Sequence, residues 1–190
     1  FGDGGYGCLG YGNTESIGDE VGEMGDALSA VDLGSDFEPI QLCCGSDFSC
    51  VLSSNFDIKC FGRNTMGQLG QGDTVNRGDV LGSMGDNLNV IDLGSNFTAL
   101  SVHCGGRHVC ALGKDGTDRT IKCWGRNDEG QLGYGDTDDR GNDTNDMGDY
   151  LSAVSLGSDF VPEQLDVGGH HVCVLSEDGD VKCWGRNDYG

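Results

Sequence analysis

Val172-Cys173-Val174-Leu175-Ser176-Glu177-Asp178-Gly179-Asp180-Val181-Lys182-Cys183-Trp184-Gly185-Arg186-Asn187 reads as two short strands around a glycine-containing turn. Apolar residues alternate on both sides of Asp178-Gly179, and a strand repeats every second residue. Each strand carries one cysteine, and the unit closes on an aromatic residue, Gly, Arg and Asn. A second copy runs from Cys110 to Asn127 and a third from Cys50 to Asn64, while Phe1-Gly2 is the tail of another. Facing Cβ atoms in such a hairpin lie about 4.5–5.5 Å apart, close to the spacing a disulfide needs. Bridges are therefore expected from Cys50 to Cys60, Cys110 to Cys123 and Cys173 to Cys183, each stabilising by about 3 kcal/mol. A structural zinc site would bring its ligands in pairs roughly two to four residues apart, which these are not.

Working outward, Phe1, Phe61, Trp124 and Trp184 stand 60, 63 and 60 residues apart. Met24-Gly25-Asp26, Met84-Gly85-Asp86 and Met147-Gly148-Asp149 keep that register, as do Leu33-Gly34-Ser35, Leu93-Gly94-Ser95 and Leu156-Gly157-Ser158. The chain therefore divides into repeats at 1–60, 61–123 and 124–183, with 184–190 starting a fourth. The three extra residues of the middle repeat fall at 114–120, a hairpin tip where insertions cost little. The third repeat reads as a glycine-rich turn (130–135), an acidic loop (136–149) and four strands near 151–156, 161–167, 171–175 and 181–184. One helical turn near 147–153 is weakened by Gly148. Four short strands in tandem are the signature of β-propeller blades. The expected fold is all-β, an incomplete or open propeller of about three four-stranded blades.

Three motifs carry a family resemblance. Gly-Gly-x-His-x-Cys-x-Leu spans Gly105 to Leu112 and Gly168 to Leu175. Asp-Gly-x-Val-Lys-Cys-Trp-Gly runs from Asp178 to Gly185, and Asn-x-x-Gly-Gln-Leu-Gly-x-Gly from Asn127 to Gly135. These resemble the regulator of chromosome condensation repeat, in its cysteine-rich, secreted form, across essentially the whole chain. The resemblance implies β-propeller blades, usually seven to a ring. The first repeat departs from it: Cys43-Cys44-Gly45-Ser46-Asp47-Phe48 replaces Gly-Gly-x-His, and Phe48 stands where His108 and His171 stand.

Composition narrows the classes. Glycine supplies 35 of 190 residues and proline 2, without the Gly-X-Y period of collagen. With 32 acidic against 11 basic residues the net charge is −21. Nucleic acid and anionic membrane surfaces should repel such a chain. No apolar run approaches the roughly 18 residues of a membrane span. Ten cysteines point to an oxidising compartment, and the localisation expected is extracellular or the cell surface. A start at Phe1 and repeats cut at both ends suggest a window on a longer protein.

Candidate sites are weighed against the repeat itself. His108 and His171 recur blade by blade and read as structural residues hydrogen-bonding their own turns. His103 and His170 are unrepeated and gain no role, and no catalytic triad assembles from the spacing. Gly2-Asp-Gly4-Gly-Tyr-Gly7 matches the dinucleotide fingerprint but opens no helix and reads as a repeat turn. Asp136, Asp138, Asp143 and Asp146 offer a calcium cage of non-EF-hand type, against the plainer reading of a solvated acidic loop. Arg77-Gly78-Asp79 matches the adhesion tripeptide, but its neighbours Ile17-Gly18-Asp19 and Arg140-Gly141-Asn142 make it a repeat turn. Asn96 and Asn142 lie in glycosylation sequons at about the chance number, and become candidate sites only with secretion. Cys8, Cys43, Cys44 and Cys104 lie outside the hairpins. Cys44 and Cys104 are equivalent in successive repeats and offer one bridge, leaving Cys8 with Cys43; cross-links between chains are the alternative, and spacing does not decide.

The reading expected is a non-enzymatic, extracellular scaffold of disulfide-bonded repeats, part of a larger repetitive chain or fibre-like assembly. Its partners would be further repeats, other copies of itself, or extracellular proteins, with no cofactor. The alternative is a protein-binding face on a closed seven-bladed propeller, with unrepeated aromatics such as Tyr6, Tyr11, Tyr134 and Tyr150 as its anchors. An enzyme would need one blade to carry a cluster that the others lack.

Overall fold

The computed structural model describes residues 1–188, so the part of the expected fourth repeat at 189–190 lies outside the described residues. Among the described residues nine strands form three antiparallel sheets. The first sheet holds β1 (Pro39–Cys44), β2 (Phe48–Ser53) and β3 (Ile58–Gly62). The second holds β4 (Phe97–Cys104), β5 (His108–Asp115) and β6 (Asp118–Gly125). The third holds β7 (Pro162–Val167), β8 (His171–Ser176) and β9 (Val181–Gly185). Each is a meander with its middle strand second in sequence.

Blades thus have three strands, not four. The segment expected to be the fourth, 151–156 in the last repeat, runs beside the blade without a ladder. Val154 donates one backbone hydrogen bond to Ile121 of the preceding blade (2.8 Å), as Ile91 does to Ile58. Other groups take the carbonyls a ladder would use. Lys59 Nζ donates to Leu33 O, Lys122 Nζ to Leu93 O and Lys182 Nζ to Leu156 O, at 2.6–2.7 Å. The lysine of each Lys-Cys-aromatic unit thereby ties down the Leu-Gly-Ser turn of its own repeat. Its ammonium also lies over a ring in the same blade: Phe37, Phe97 or Phe160, at 4.6–5.4 Å. The segment is held by side chains, while Leu88, Ile91, Leu151 and Val154 bury their apolar groups. The helical turn expected near Gly148 is a single 3₁₀ turn, Gly148–Tyr150, with Gly148 at φ +68°. The three-residue insertion, expected to lengthen the hairpin tip, instead lengthens β5 and β6 and leaves a two-residue turn between Asp115 and Asp118.

The blades stack face to face. In β1, Gln41 and Cys43 point toward the second blade, whereas Ile40, Leu42 and Cys44 point away, as alternation along a strand requires. The Gln41 amide bridges the joint: its Nε2 donates to Val102 O (3.1 Å), and Val102 N donates to its Oε1 (3.0 Å). Phe48, Leu52, Ile58, Leu69, Val102 and Trp124 share one core between the first two blades. Leu112, Ile121, Leu132, Val154, Leu165 and Val172 fill the core between the second and third. Near the inner strands, Ser46 N donates to Gly106 O and Gly106 N to Gly169 O, linking the three blades in series.

Four disulfides staple this stack: Cys50–Cys60, Cys110–Cys123, Cys173–Cys183 and Cys43–Cys104. The first three join residues directly opposite in their hairpins. The fourth corrects the sequence reading, which offered Cys44 to Cys104 and Cys8 to Cys43. Equivalent residues point to the same side of their own blades, so Cys44 and Cys104 both face backward along the stack. A bridge between successive blades must pair a forward-facing residue with a backward-facing one, and Cys43 and Cys104 are that pair. Cys8 and Cys44 are free.

Candidate functional site: the connector face

The second and third connectors, which follow the first and second blades, are each built on one asparagine. Asn127 Oδ1 accepts from Leu132 N (2.9 Å), and its Nδ2 donates to the backbone and side-chain oxygens of Asp136. Asn64 makes the same three bonds, to Leu69 and Asp73. The connector then passes beneath the next blade's tryptophan. Trp124 Nε1 donates to Gln68 O (3.1 Å) and Trp184 Nε1 to Gln131 O (3.0 Å). A Cβ on Gly70 or Gly133 would run into those indoles.

This wiring settles where the acidic candidates go. Asp136 pairs with Arg140 (2.7 Å) and with Asn127. Asp146 Oδ2 accepts from Gly141 N and Asp143 N, and Asp143 Oδ1 from Asn145 N. Asp138 contributes a backbone N–H to Asp136. Of the four residues offered as a calcium cage, Asp136, Asp143 and Asp146 thus spend their carboxylates on local turns, and Asp138 joins them only through its backbone. Among the described residues no three His, Cys, Asp or Glu side chains gather at metal-binding distance. Arg77 of the Arg-Gly-Asp tripeptide is held the same way by Asp73 (2.7 Å), and Gly78 packs on the Gly7 carbonyl. Of the stretch from Gly2 to Gly7, Gly2 bridges to Ile17 and Gly5–Gly7 form a short 3₁₀ turn, with no helix behind them among the described residues to make a phosphate loop. Asn96 and Asn142 are both exposed.

The repeated histidine has a different role from the one expected. His108 is fully buried, and neither ring nitrogen has a hydrogen-bond partner. The ring packs flat against Gly105, where any Cβ would overlap it; Gly168 stands in the same relation to His171, and Gly45 to Phe48. The motif is a glycine making room for a ring three residues on, and an imidazole or a phenyl serves equally. Signal for this was present in the first repeat, where Gly45 and an aromatic ring survive although the second glycine and the histidine do not.

Burial, followed by repulsion from His170 and His171, pushes the His108 pKa down from 6.5 to about 4. The folded state therefore holds this ring neutral at pH values where the unfolded chain protonates it. Its contribution to stability is full above pH 6.5 and is lost as pH falls toward 4, by up to about 3 kcal/mol. His108→Phe should remove that dependence. Urea unfolding at pH 7 and pH 4.5 should show the variant gaining on the wild type as pH falls; an unchanged difference between them would contradict this account.

Of the four tyrosines considered as anchors, three are engaged. Tyr134 donates to Cys123 O and accepts from Cys123 N, and burial pushes its hydroxyl up to about 12. Tyr6 lies under the Arg63 guanidinium, and Tyr11 donates to Ser29 O. Tyr150 alone stands out, 72% exposed, at a position held by Ala27 and Asn87 in the other repeats. It forms a wall shared by two clefts. One, of about 430 Å³, is lined by Gly70, Gln71, Asn89, Asp92 and Asp149. The other, of about 330 Å³, is lined by Tyr134, Asp136, Arg140 and Ser152.

Stacked three-stranded blades joined by connectors define a non-helical repeat protein of β-propeller architecture. More particularly, the chain carries the regulator of chromosome condensation repeat, whose family model matches residues 40–68, 99–131 and 163–190. Relatives include the X-linked retinitis pigmentosa GTPase regulator of Mus musculus, 30% identical over 155 residues, 80% of this chain and 13% of that protein. The ultraviolet-B receptor of Arabidopsis thaliana is 27% identical over 191 residues, covering 100% of this chain and 37% of the receptor. Among solved structures, human WBSCR16 matches 96% of this chain and 40% of its own, with TM-score 0.67 and 20% identity. Yeast RCC1 matches 81% and 31%, with TM-score 0.59 and 24% identity. The chain therefore spans well under half of the proteins it resembles.

Proposed function

We propose that this chain is a non-catalytic protein-binding scaffold of an oxidising, extracellular or cell-surface setting, and that its connector face around Tyr150 holds the partner. The observation that carries this reading is Tyr150 itself. An exposed tyrosine between two clefts, absent from the other repeats, has the character of an interface anchor. Asp92, Asp136 and Asp149 border those clefts, and the chain carries −21. The partner surface is therefore basic, with steering that weakens as salt rises. Four disulfides support the oxidising setting. The test is capture of surface proteins on immobilised chain, wild type against Tyr150→Ala. Partners lost with the variant, whose melting temperature should be unchanged, would support the reading; equal capture by both would refute it.

A second observation favours assembly with further blades. Leu42 is 70% exposed, while its equivalents Val102 and Leu165 are 1% and 2% exposed beneath the preceding blade. At the other end Val181 is 64% exposed, while Ile58 and Ile121 are buried. The two end faces are the complementary halves of the joint seen twice inside the chain. Light scattering should show concentration-dependent association that Leu42→Asp abolishes; a monomer at all concentrations would count against self-assembly.

A further inference from the structure

We infer that Cys8 and Cys44 form a fifth disulfide, a redox latch that fastens the first connector to the first blade. Both are free thiols, and both residues touch one hydroxyl, Cys44 through its sulfur and Cys8 through its carbonyl, the Cys8 thiol itself donating to Asp3 O at 3.0 Å. Ser49 Oγ donates to Cys8 O (3.1 Å) and lies 3.8 Å from Cys44 Sγ. Ser49 is paired with Cys44 across β1 and β2. Cys8 belongs to the turn Gly5-Tyr6-Gly7-Cys8-Leu9, the counterpart of the stretches around Gln68 and Gln131 that pass beneath the next blade.

The first connector needs such a fastening because its own is missing. Asn64 and Asn127 clamp the second and third connectors through three hydrogen bonds each. The residue at that position in the first is Gly4, which has no side chain and makes one long bond through its N–H, to Ser16 Oγ at 3.4 Å. Phe61 replaces tryptophan above this connector, so the indole bond to its carbonyl is missing too. A covalent link from Cys8 to Cys44 supplies what the asparagine and the indole supply elsewhere. A second copy stacked on this face offers no competing sulfur, since Asp166 stands where Cys43 stands in the first blade.

The chemistry is thiol–disulfide exchange with a low-molecular-weight disulfide such as oxidised glutathione. The exposed Cys44, as thiolate, attacks one glutathione sulfur and releases the other as a thiolate, which takes up the proton. Cys8, deprotonated in turn, attacks the Cys44 sulfur and releases the second glutathione. Two protein thiols are oxidised and one glutathione disulfide is reduced to two thiols. Burial, and then the Asp3 carboxylate, hold the Cys8 thiol above its ordinary range, so the second step should quicken as pH rises.

The experiment titrates thiols on the purified chain before and after oxidised glutathione, then maps the unreduced digest. Titratable thiols should fall from two to none, with a peptide joining Cys8 to Cys44. Cys8→Ser should trap glutathione on Cys44, and Cys44→Ser should leave Cys8 titratable. A stable Cys44–glutathione adduct in the wild type with Cys8 still free, or a Cys44–Cys44 link between chains, would overturn the inference. A digest of untreated chain already holding the Cys8–Cys44 peptide would support it.

Discussion

Trp124→Ala is expected to lower the unfolding free energy of the chain by about 3–5 kcal/mol, the largest effect of any single apolar truncation here. Trp124 is 0% exposed and lies in the core between the first and second blades. Its indole closes over Gly70, and its N–H satisfies the Gln68 carbonyl of the connector below. Alanine opens a cavity at the joint and strands that carbonyl, so both terms act in one direction. Trp124→Phe isolates the second term, because Phe61 fills the same position in the first blade at 4% exposure. That variant should lose only about 1–2 kcal/mol. Trp184→Ala should cost less than Trp124→Ala, since Trp184 is only partly buried. Urea denaturation measures all three; equal losses for Trp124→Ala and Trp184→Ala would mean that the blade joint is not what buries the ring.

Cys43→Ser or Cys104→Ser is expected to cost about 4 kcal/mol, from the unfolded-state freedom regained by a loop of 61 residues. This is more than any hairpin bridge offers, since those close loops of only 10 or 13 residues. Both single variants and the double variant should lose the same amount, as removal of either partner abolishes one shared bond. Cys44 is the informative control. It is exposed and faces backward along the stack, so Cys44→Ser should leave the Cys43–Cys104 bond and its contribution in place. Cys44 should not rescue Cys43→Ser, because the strand alternation that aims Cys43 at Cys104 aims Cys44 the other way. Loss of the 4 kcal/mol through Cys44→Ser instead would place the inter-blade bond on the wrong residue.

The propeller class was legible because period and pleat both leave marks in sequence. Three copies of one hairpin in register gave the repeat, and alternating Val and Leu gave the strands. What was not legible follows from how side chains compete with backbone. Residues 151–156 carry the Val and Leu of a strand and bury Leu151 and Val154, which stand three apart. Yet the ladder depends on carbonyls, and Lys182 takes the one at Leu156 from 26 residues away. No local pattern reports that. The inter-blade bond was hidden for a related reason. Matching Cys44 to Cys104 by position is sound for finding repeats and misleading for finding contacts, since stacked blades meet through opposite faces.

The candidate site divides along the same line. Repeated residues such as Asn127, Asp136 and Arg140 announced themselves by recurrence, and they maintain the connectors. Tyr150 was one of five tyrosines in the sequence, and only burial separated it from Tyr134, which the blade consumes. Exposure is a property of packing between repeats, and a single sequence does not display it. The histidine shows the converse case: Phe48 in its place was the mark of a ring that needs space and no partner.

The stack of blades is defined by Cys43 facing Cys104 across the first joint. Mass spectrometry of an unreduced digest of the native chain tests that most directly. Blades stacked in this way give a peptide joining Cys43 to Cys104, with Cys44 assignable separately after cleavage between the adjacent cysteines. A peptide joining Cys44 to Cys104, or Cys8 to Cys43, would contradict it.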